Sequence, residues 1–139
     1  MSVSIAGIWE MGWNTPIKEG DLWEFPMRDF GVDSVTMCPV SGIQSHYIKE
    51  SPHIEHVIRE YRDAGIPIVF VDEKGKTPIQ EFVHPEDVLY VFGKVGGSPM
   101  NTYCTPNDES VRIETPNNLG TMWPHQVAAI VLYDRIRKW

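Results

Sequence analysis

Short apolar runs separated by turn residues recur along the chain and predict buried strands. The main runs span residues 4–9, 34–40, 66–71 and 88–92, and a shorter one spans residues 111–114. Runs this short, bounded by glycine, proline or charged residues, are typical of strands whose two faces are both covered. The sequence therefore predicts several buried strands spread over the whole chain.

The clearest helix lies between the second and third of these strands. Its apolar positions follow the i, i+3, i+4, i+7 spacing and are Ile54, Val57, Ile58 and Tyr61. This spacing places them on one face of an amphipathic helix. Ser51 is expected to cap the helix, and Gly65 is expected to end it.

Three further segments complete the pattern. A short helix is predicted over residues 21–30, with Asp21 as its cap and Pro26 ending or kinking it. Residues 77–83 form a short amphipathic segment, and a long helix closes the chain. Strands that alternate with helices predict an α/β fold, with a mostly parallel sheet and helices on both faces. At 139 residues, we expect residues 1–139 to form a single domain.

The region from residue 87 to residue 139 combines a glycine loop with a strand, a polar turn and the closing helix. The strand over residues 88–92 leads into FGKVGG, and a second stretch reads RIETPNNLGTMWPHQVAAIVLYDRIR. This order resembles the C-terminal half of SPOUT-superfamily RNA methyltransferases of the SpoU (TrmH-like) type. Those proteins have a strand, a Gly-x-Glu loop, a strand, a Ser-Leu-Asn turn and a helix.

The chain departs from that family's pattern at its polar signature positions. Val95 stands where the family has glutamate, and Trp123 stands where it has asparagine. Asn14 follows the first strand as a family asparagine does, but the position of the family's catalytic arginine falls near Phe25. Arg28 lies three residues too late, so no catalytic arginine is assigned.

The resemblance implies a SPOUT-type fold with a C-terminal trefoil knot, S-adenosylmethionine as cofactor and a homodimer formed by the first and last helices. The cofactor is held largely by backbone groups in this family, so its site can survive side-chain changes. The cofactor-binding residues that the resemblance implies are Phe92, Gly93, Gly97, Ile113, Thr115, Thr121 and Met122. The alternative is that the glycines only form a turn.

Two aromatic residues near the start of the last helix have alternative roles. A neutral His125 there is a candidate catalytic base for methyl transfer to a ribose hydroxyl, or it is a surface or capping histidine. Trp123 either stacks on a base or packs at a dimer interface. His53 and His56 lie one helical turn apart but lack the third ligand of a zinc site, so no metal is expected.

Charge and composition limit the expected partners. The net charge of −7 counts against a strong electrostatic grip on nucleic acid, although a local basic patch can bind RNA. Candidates for such a patch are Arg59, Arg62, Arg135, Arg137 and Lys138; the alternative is that they are ordinary solvated helix residues. No apolar run or basic leader predicts a membrane span or a signal peptide. Two isolated cysteines fit a reduced, cytoplasmic protein.

Three functions follow from these expectations. The first is an S-adenosylmethionine-dependent RNA methyltransferase that modifies a ribose 2′ hydroxyl of tRNA or rRNA. The second is a catalytically silent binding protein on the same scaffold, because the signature residues have changed. The third is a methyltransferase that acts on a substrate other than RNA.

Overall fold

The structure is a computed structural model that describes residues 1–10, 16–94, 97–117, 119 and 122–139, with residues 16 and 17 described by their backbone alone. The described strands are β1 (Val3–Ile8), β2 (Ser34–Cys38), β3 (Ile48–Glu50), β4 (Ile68–Val71), β5 (Thr77–Pro78), β6 (Val88–Phe92) and β7 (Glu109–Arg112). The helices are α1 (Pro16–Asp29), α2 (Ile54–Asp63), α3 (Pro99–Tyr103) and α4 (Pro124–Lys138), and the 3-10 turn Ile79–Glu81 precedes β6.

These strands form one sheet in the order β3-β2-β1-β6-β4-β7-β5, and every pairing between them is parallel. The centre of the sheet is β6, where Ala6 pairs with Val91 on one side and Phe70 pairs with Val91 on the other. The predicted α/β fold with a mostly parallel sheet is thus confirmed. The trefoil knot stays a prediction.

Helices cover both faces of the sheet, as predicted. One face packs against α1 and α4, where Trp23, Met27 and Leu132 are buried. The opposite face packs against α2, whose Val57 and Ile58 are buried in a second apolar cluster. Because residues alternate between the two faces of a strand, β6 contributes side chains to both clusters. Its run of apolar residues is therefore explained by its central position.

The first helix is longer than predicted. It begins at Pro16, not at a cap formed by Asp21, and it continues past Pro26 to Asp29. Gly20 lies inside the helix, at a position where a Cβ would come within 2.6 Å of the Ile43 side chain. Proline also suits the first turn of a helix, where its missing N–H costs no hydrogen bond.

The structure corrects several other boundaries. The cap of α2 is His53, and its side chain makes no capping hydrogen bond. Ser51 instead donates a hydrogen bond to the His53 carbonyl. Two short elements, β3 and α3, lie in stretches to which no element was assigned, and β7 begins two residues earlier than predicted. Such short elements carry too little periodicity to be recognised from sequence.

A buried polar network fixes the C-terminal half of α4 to the segment before β6. His84 Nδ1 lies 2.6 Å from the Tyr90 hydroxyl, and its Nε2 lies 2.8 Å from Asp134 Oδ2. Arg135 donates hydrogen bonds to the Tyr90 hydroxyl and to the backbone carbonyls of residues 85 and 86. Lys138 donates to Asp134 and to the carbonyls of residues 79 and 82.

The basic residues considered for an RNA-binding patch are engaged within the protein. Arg135 and Lys138 belong to the buried network, and Arg137 lies 3.5 Å from Asp134. Arg59 pairs with Glu55, and Arg62 pairs with Asp108. The alternative interpretation, that these are structural and surface helix residues, is the one supported by these contacts.

Both cysteines are free thiols, Cys38 buried and Cys104 exposed. Burial raises the pKa of the Cys38 thiol to about 11. Cys38 is therefore an apolar packing residue at neutral pH. Among the described residues, no helix combines the length and apolar character needed to cross a membrane.

Candidate functional site

A cavity of about 620 Å³ opens at the carboxyl edge of the sheet. It lies where β4, β6 and β7 end, beside the start of α4. Ligand sites of open parallel sheets form at this edge, because the loops that follow adjacent strands converge there. The apolar part of its lining consists of Val71, Phe92, Ile113, Pro116, Leu119, Met122, Pro124 and Val127.

A tight glycine turn forms one wall of the cavity. The backbone N–H of Lys94 donates to the Gly97 carbonyl over 3.3 Å, and the N–H of Gly97 donates to the Lys94 carbonyl over 2.8 Å. A Cβ on Gly93 would collide with the Gly97 carbonyl oxygen and lie 2.9 Å from Pro99 Cδ. Only glycine fits at position 93 while this turn keeps its shape.

The loop after β4 lies beside the glycine turn and places a carboxylate in the cavity lining. Asp72 Oδ1 accepts a hydrogen bond from the Ser98 hydroxyl over 2.8 Å, and its Oδ2 accepts one from the Lys74 backbone N–H over 2.9 Å. The Asp72 carbonyl accepts a third from the Gly75 N–H. Asp72 and Ser98 both line the cavity. Their hydrogen bond therefore links the β4 loop to the glycine turn.

Most of the residues expected to bind a cofactor lie around this cavity. The lining includes Phe92, Gly93, Gly97, Ile113, Thr115 and Met122. Thr121 lies outside the described residues, as do Asn14 and Val95. Residues of the glycine turn and of the segment between β7 and α4 are thus brought together. Their role in binding a ligand remains a prediction.

His125 lies beside the cavity, one residue beyond Pro124, and it does not belong to the described lining. Its ring packs edge-on against Trp23, with centroids 6.3 Å apart, and Trp23 also packs edge-on against Phe92 at 6.0 Å. Burial lowers the pKa of His125 from its ordinary value. The imidazole is therefore neutral at physiological pH, a state that can accept a proton.

Charge at the cavity comes from side chains of both signs. Its charged lining residues are Asp72, Glu73, Lys74 and Lys94. Neither lysine side chain forms an ion pair within the described part of the chain. No arginine belongs to the described lining. Arg28, which was not assigned a catalytic role, is exposed, pairs with Glu24 and lies over the Tyr47 ring.

Two polar residues of the cavity were missed in the sequence. Asp72 directly follows the buried strand β4, which is a recognisable position for a ligand-binding side chain, but it was not among the residues assigned to the site. Ser98 carries no such signal, because its contact with Asp72 spans 26 positions of the sequence.

Solved structures share this fold over almost the whole chain. An RNA 2′-O ribose methyltransferase matches with a TM-score of 0.79 at 13% identity, over 99% of this chain and 56% of its own. An AdoMet-bound rRNA methyltransferase from Sinorhizobium meliloti matches at 0.73 and 13% identity, with coverages of 99% and 56%. A TrmH-family protein from Porphyromonas gingivalis matches at 0.70 and 15% identity, with coverages of 99% and 60%. The chain thus spans less than two thirds of each of these proteins.

The similarity is one of fold and not of sequence. No protein-family model matches the sequence, and no curated protein does either. The expected resemblance to the SpoU (TrmH-like) fold is confirmed by the structural matches.

Proposed function

We propose that this protein is an S-adenosylmethionine-dependent RNA methyltransferase that modifies a ribose 2′ hydroxyl of tRNA or rRNA. The observation that carries the proposal is the cavity at the carboxyl edge of a SpoU-type sheet, lined by residues of the glycine turn, the β7 loop and the start of α4. S-adenosylmethionine supplies an electrophilic methyl group on a sulfonium when it is bound.

The lining fits the chemical character of this cofactor. Phe92, Ile113 and Met122 offer apolar surface for a flat adenine, and Asp72 and Ser98 offer hydrogen-bonding groups for its polar part. The volume of about 620 Å³ lies within the roughly 300–1,000 Å³ range of small-molecule sites. The backbone groups of the glycine turn add recognition that does not depend on side chains.

Free positive charge beside the cavity supports an RNA substrate. Lys74 and Lys94 line the cavity, and both side chains lack an ion pair among the described residues. The arginines, in contrast, are held by carboxylates or carbonyls of the protein. Phosphates of an RNA strand would therefore contact these two lysines, while the acidic remainder of the surface would repel the strand.

Binding and transfer assays test the proposal in sequence. Calorimetric titration should show saturable binding of S-adenosylmethionine and S-adenosylhomocysteine at about one site per chain. Radiolabelled methyl transfer should then mark total RNA and leave protein and small-molecule pools unlabelled. His125→Ala should slow transfer without weakening cofactor binding if the imidazole accepts the ribose proton; an unchanged rate would remove it from the mechanism.

A catalytically silent scaffold is the second candidate function. The absence of an arginine from the described lining favours it, because the related signature carries one for the reaction. The two candidates differ in one result. Cofactor binding without methyl transfer to any pool would support the silent scaffold, and labelled RNA would exclude it.

A homodimer is part of the proposal. Ile130, Tyr133 and Ile136 are exposed apolar residues at every third position of α4, and Phe25 is exposed on the adjoining α1. Sedimentation should show a dimer that Ile136→Asp converts to monomer. Val40→Asp is the matched control, because Val40 is 58% exposed and follows β2, outside both helices. A monomeric wild type would contradict this part of the proposal.

A further inference from the structure

Asp72 is the cavity carboxylate whose position the fold fixes most firmly. It follows the last residue of β4, and its backbone N–H donates to the Val111 carbonyl over 3.1 Å. Each carboxylate oxygen accepts one hydrogen bond, from Ser98 and from the Lys74 backbone. The side chain is therefore held in one orientation before any ligand enters.

This carboxylate keeps unused acceptor capacity. An ionised carboxylate has about four lone-pair sites on its two oxygens. At Asp72, Ser98 and the Lys74 backbone occupy one site on each oxygen. A ligand with two adjacent hydroxyl donors can use both oxygens at once. A ribose presents such a pair, and acidic side chains bind ribose hydroxyls in other nucleotide sites at the carboxyl edge of a sheet.

Hydrogen bonding to a neutral diol fits the lining of the cavity better than charge attraction of a cationic ligand does. The two carboxylates of the lining, Asp72 and Glu73, are balanced by the two ammonium groups of Lys74 and Lys94. A cationic ligand therefore meets no net negative charge in this cavity. A neutral diol needs none, because its recognition is directional.

We propose that Asp72 binds the ribose of the cofactor, with its two carboxylate oxygens accepting hydrogen bonds from the 2′ and 3′ hydroxyls. Ser98 positions the carboxylate by donating to Oδ1. This inference rests on the proposed function and adds a side-chain contact to the backbone-based site. It also predicts that the contact is the same for S-adenosylmethionine and for S-adenosylhomocysteine, since both carry this ribose.

The test is calorimetric titration of wild type and Asp72→Asn with S-adenosylmethionine, S-adenosylhomocysteine and the 2′-deoxyribose analogue of S-adenosylhomocysteine. Asp72→Asn should weaken both ribose ligands by a similar factor, roughly 10- to 100-fold, as expected for hydrogen bonds to a charged group. Removing the 2′ hydroxyl should weaken wild-type binding but change the affinity of the variant much less. Ser98→Ala should give a smaller loss in the same direction.

Asp63→Asn is the matched control, because Asp63 is an exposed carboxylate at the end of α2, outside the cavity lining. Thermal denaturation of each variant checks that the fold is kept. Wild-type binding that Asp72→Asn leaves unchanged would overturn the inference alone. Selective loss of S-adenosylmethionine would also overturn it, in favour of charge recognition. No binding of either ligand to wild type would overturn the proposed function and the inference with it.

Discussion

Replacing Tyr90 with phenylalanine removes one hydroxyl from the centre of the buried network. That hydroxyl lies 2.6 Å from His84 Nδ1 and accepts a hydrogen bond from Arg135 over 3.2 Å. Because His84 Nε2 faces the carboxylate of Asp134, the neutral imidazole carries its proton on Nε2, and Nδ1 accepts from Tyr90. The substitution therefore leaves a buried ring nitrogen without its donor.

The size of the loss follows from these contacts. Arg135 keeps its two backbone carbonyl partners, so the main cost is the unsatisfied Nδ1 of His84. Leaving one buried polar group unsatisfied costs about 1–3 kcal/mol of the free energy of unfolding. The hydroxyl is removed without opening a large cavity, so no large packing cost is added. For a chain of 139 residues, each 1 kcal/mol lowers the melting temperature by about 3–5 °C.

Equilibrium denaturation in urea measures this loss directly. Tyr61→Phe is the matched control, because Tyr61 lies on α2, outside the network, and its hydroxyl forms no hydrogen bond to another described residue. We expect the control to stay within about 0.5 kcal/mol of wild type. If Tyr90→Phe were as neutral as the control, the conclusion that this network fixes α4 to the segment before β6 would be wrong.

Three other predictions follow from described contacts. Gly93→Ala should weaken cofactor binding about tenfold or more, because the added methyl group costs about 1–3 kcal/mol of overpacking that only a shift of the turn can relieve. Titration calorimetry measures the affinity, and an unchanged affinity would contradict the proposed site. Replacing Lys74 and Lys94 with alanine should weaken RNA binding. It should also reduce the slope of the logarithm of the binding constant against the logarithm of the salt concentration by about 0.7–0.9 per charge removed. Lys49→Ala on β3 should change neither quantity, and filter binding at several salt concentrations measures both. Burial lowers the pKa of His84 in the folded protein, so its contribution to stability is complete above the unfolded pKa near 6.5 and is lost as pH falls below it. Denaturation between about pH 7.5 and about pH 5 should show that the free energy of unfolding falls as the pH falls, and this pH dependence should be weaker in His84→Ala. A free energy of unfolding that rises on acidification in this window would contradict the prediction.

Local patterns predicted the elements whose side chains face an apolar surface. The strand β6 has the predicted bounds, because every residue from Val88 to Phe92 is buried and the run ends where Gly93 begins the turn. The stripe of α2 was equally clear, since its buried residues follow helical spacing. In both cases the periodicity of the sequence and the burial have the same physical origin.

Contacts between distant parts of the chain decided the remainder. Gly20 lies inside α1, where the Ile43 side chain occupies the space that a larger residue would need. Arg135 was interpreted as a possible RNA contact, yet it is 4% exposed and donates to carbonyls about fifty positions earlier. No local pattern distinguishes an arginine that meets solvent from one that meets carbonyls supplied by another loop.

The shape of the glycine turn depends on the backbone, whereas the contacts of Asp72 and Ser98 depend on side chains. The glycine turn depends on backbone hydrogen bonds and on the absence of a side chain at Gly93, so neighbouring residues can change while its shape is kept. Side-chain recognition has no such tolerance, because it requires a particular group at a particular place. Asp72 and Ser98, which come into contact only in the folded chain, are therefore where this protein's own ligand specificity should be sought.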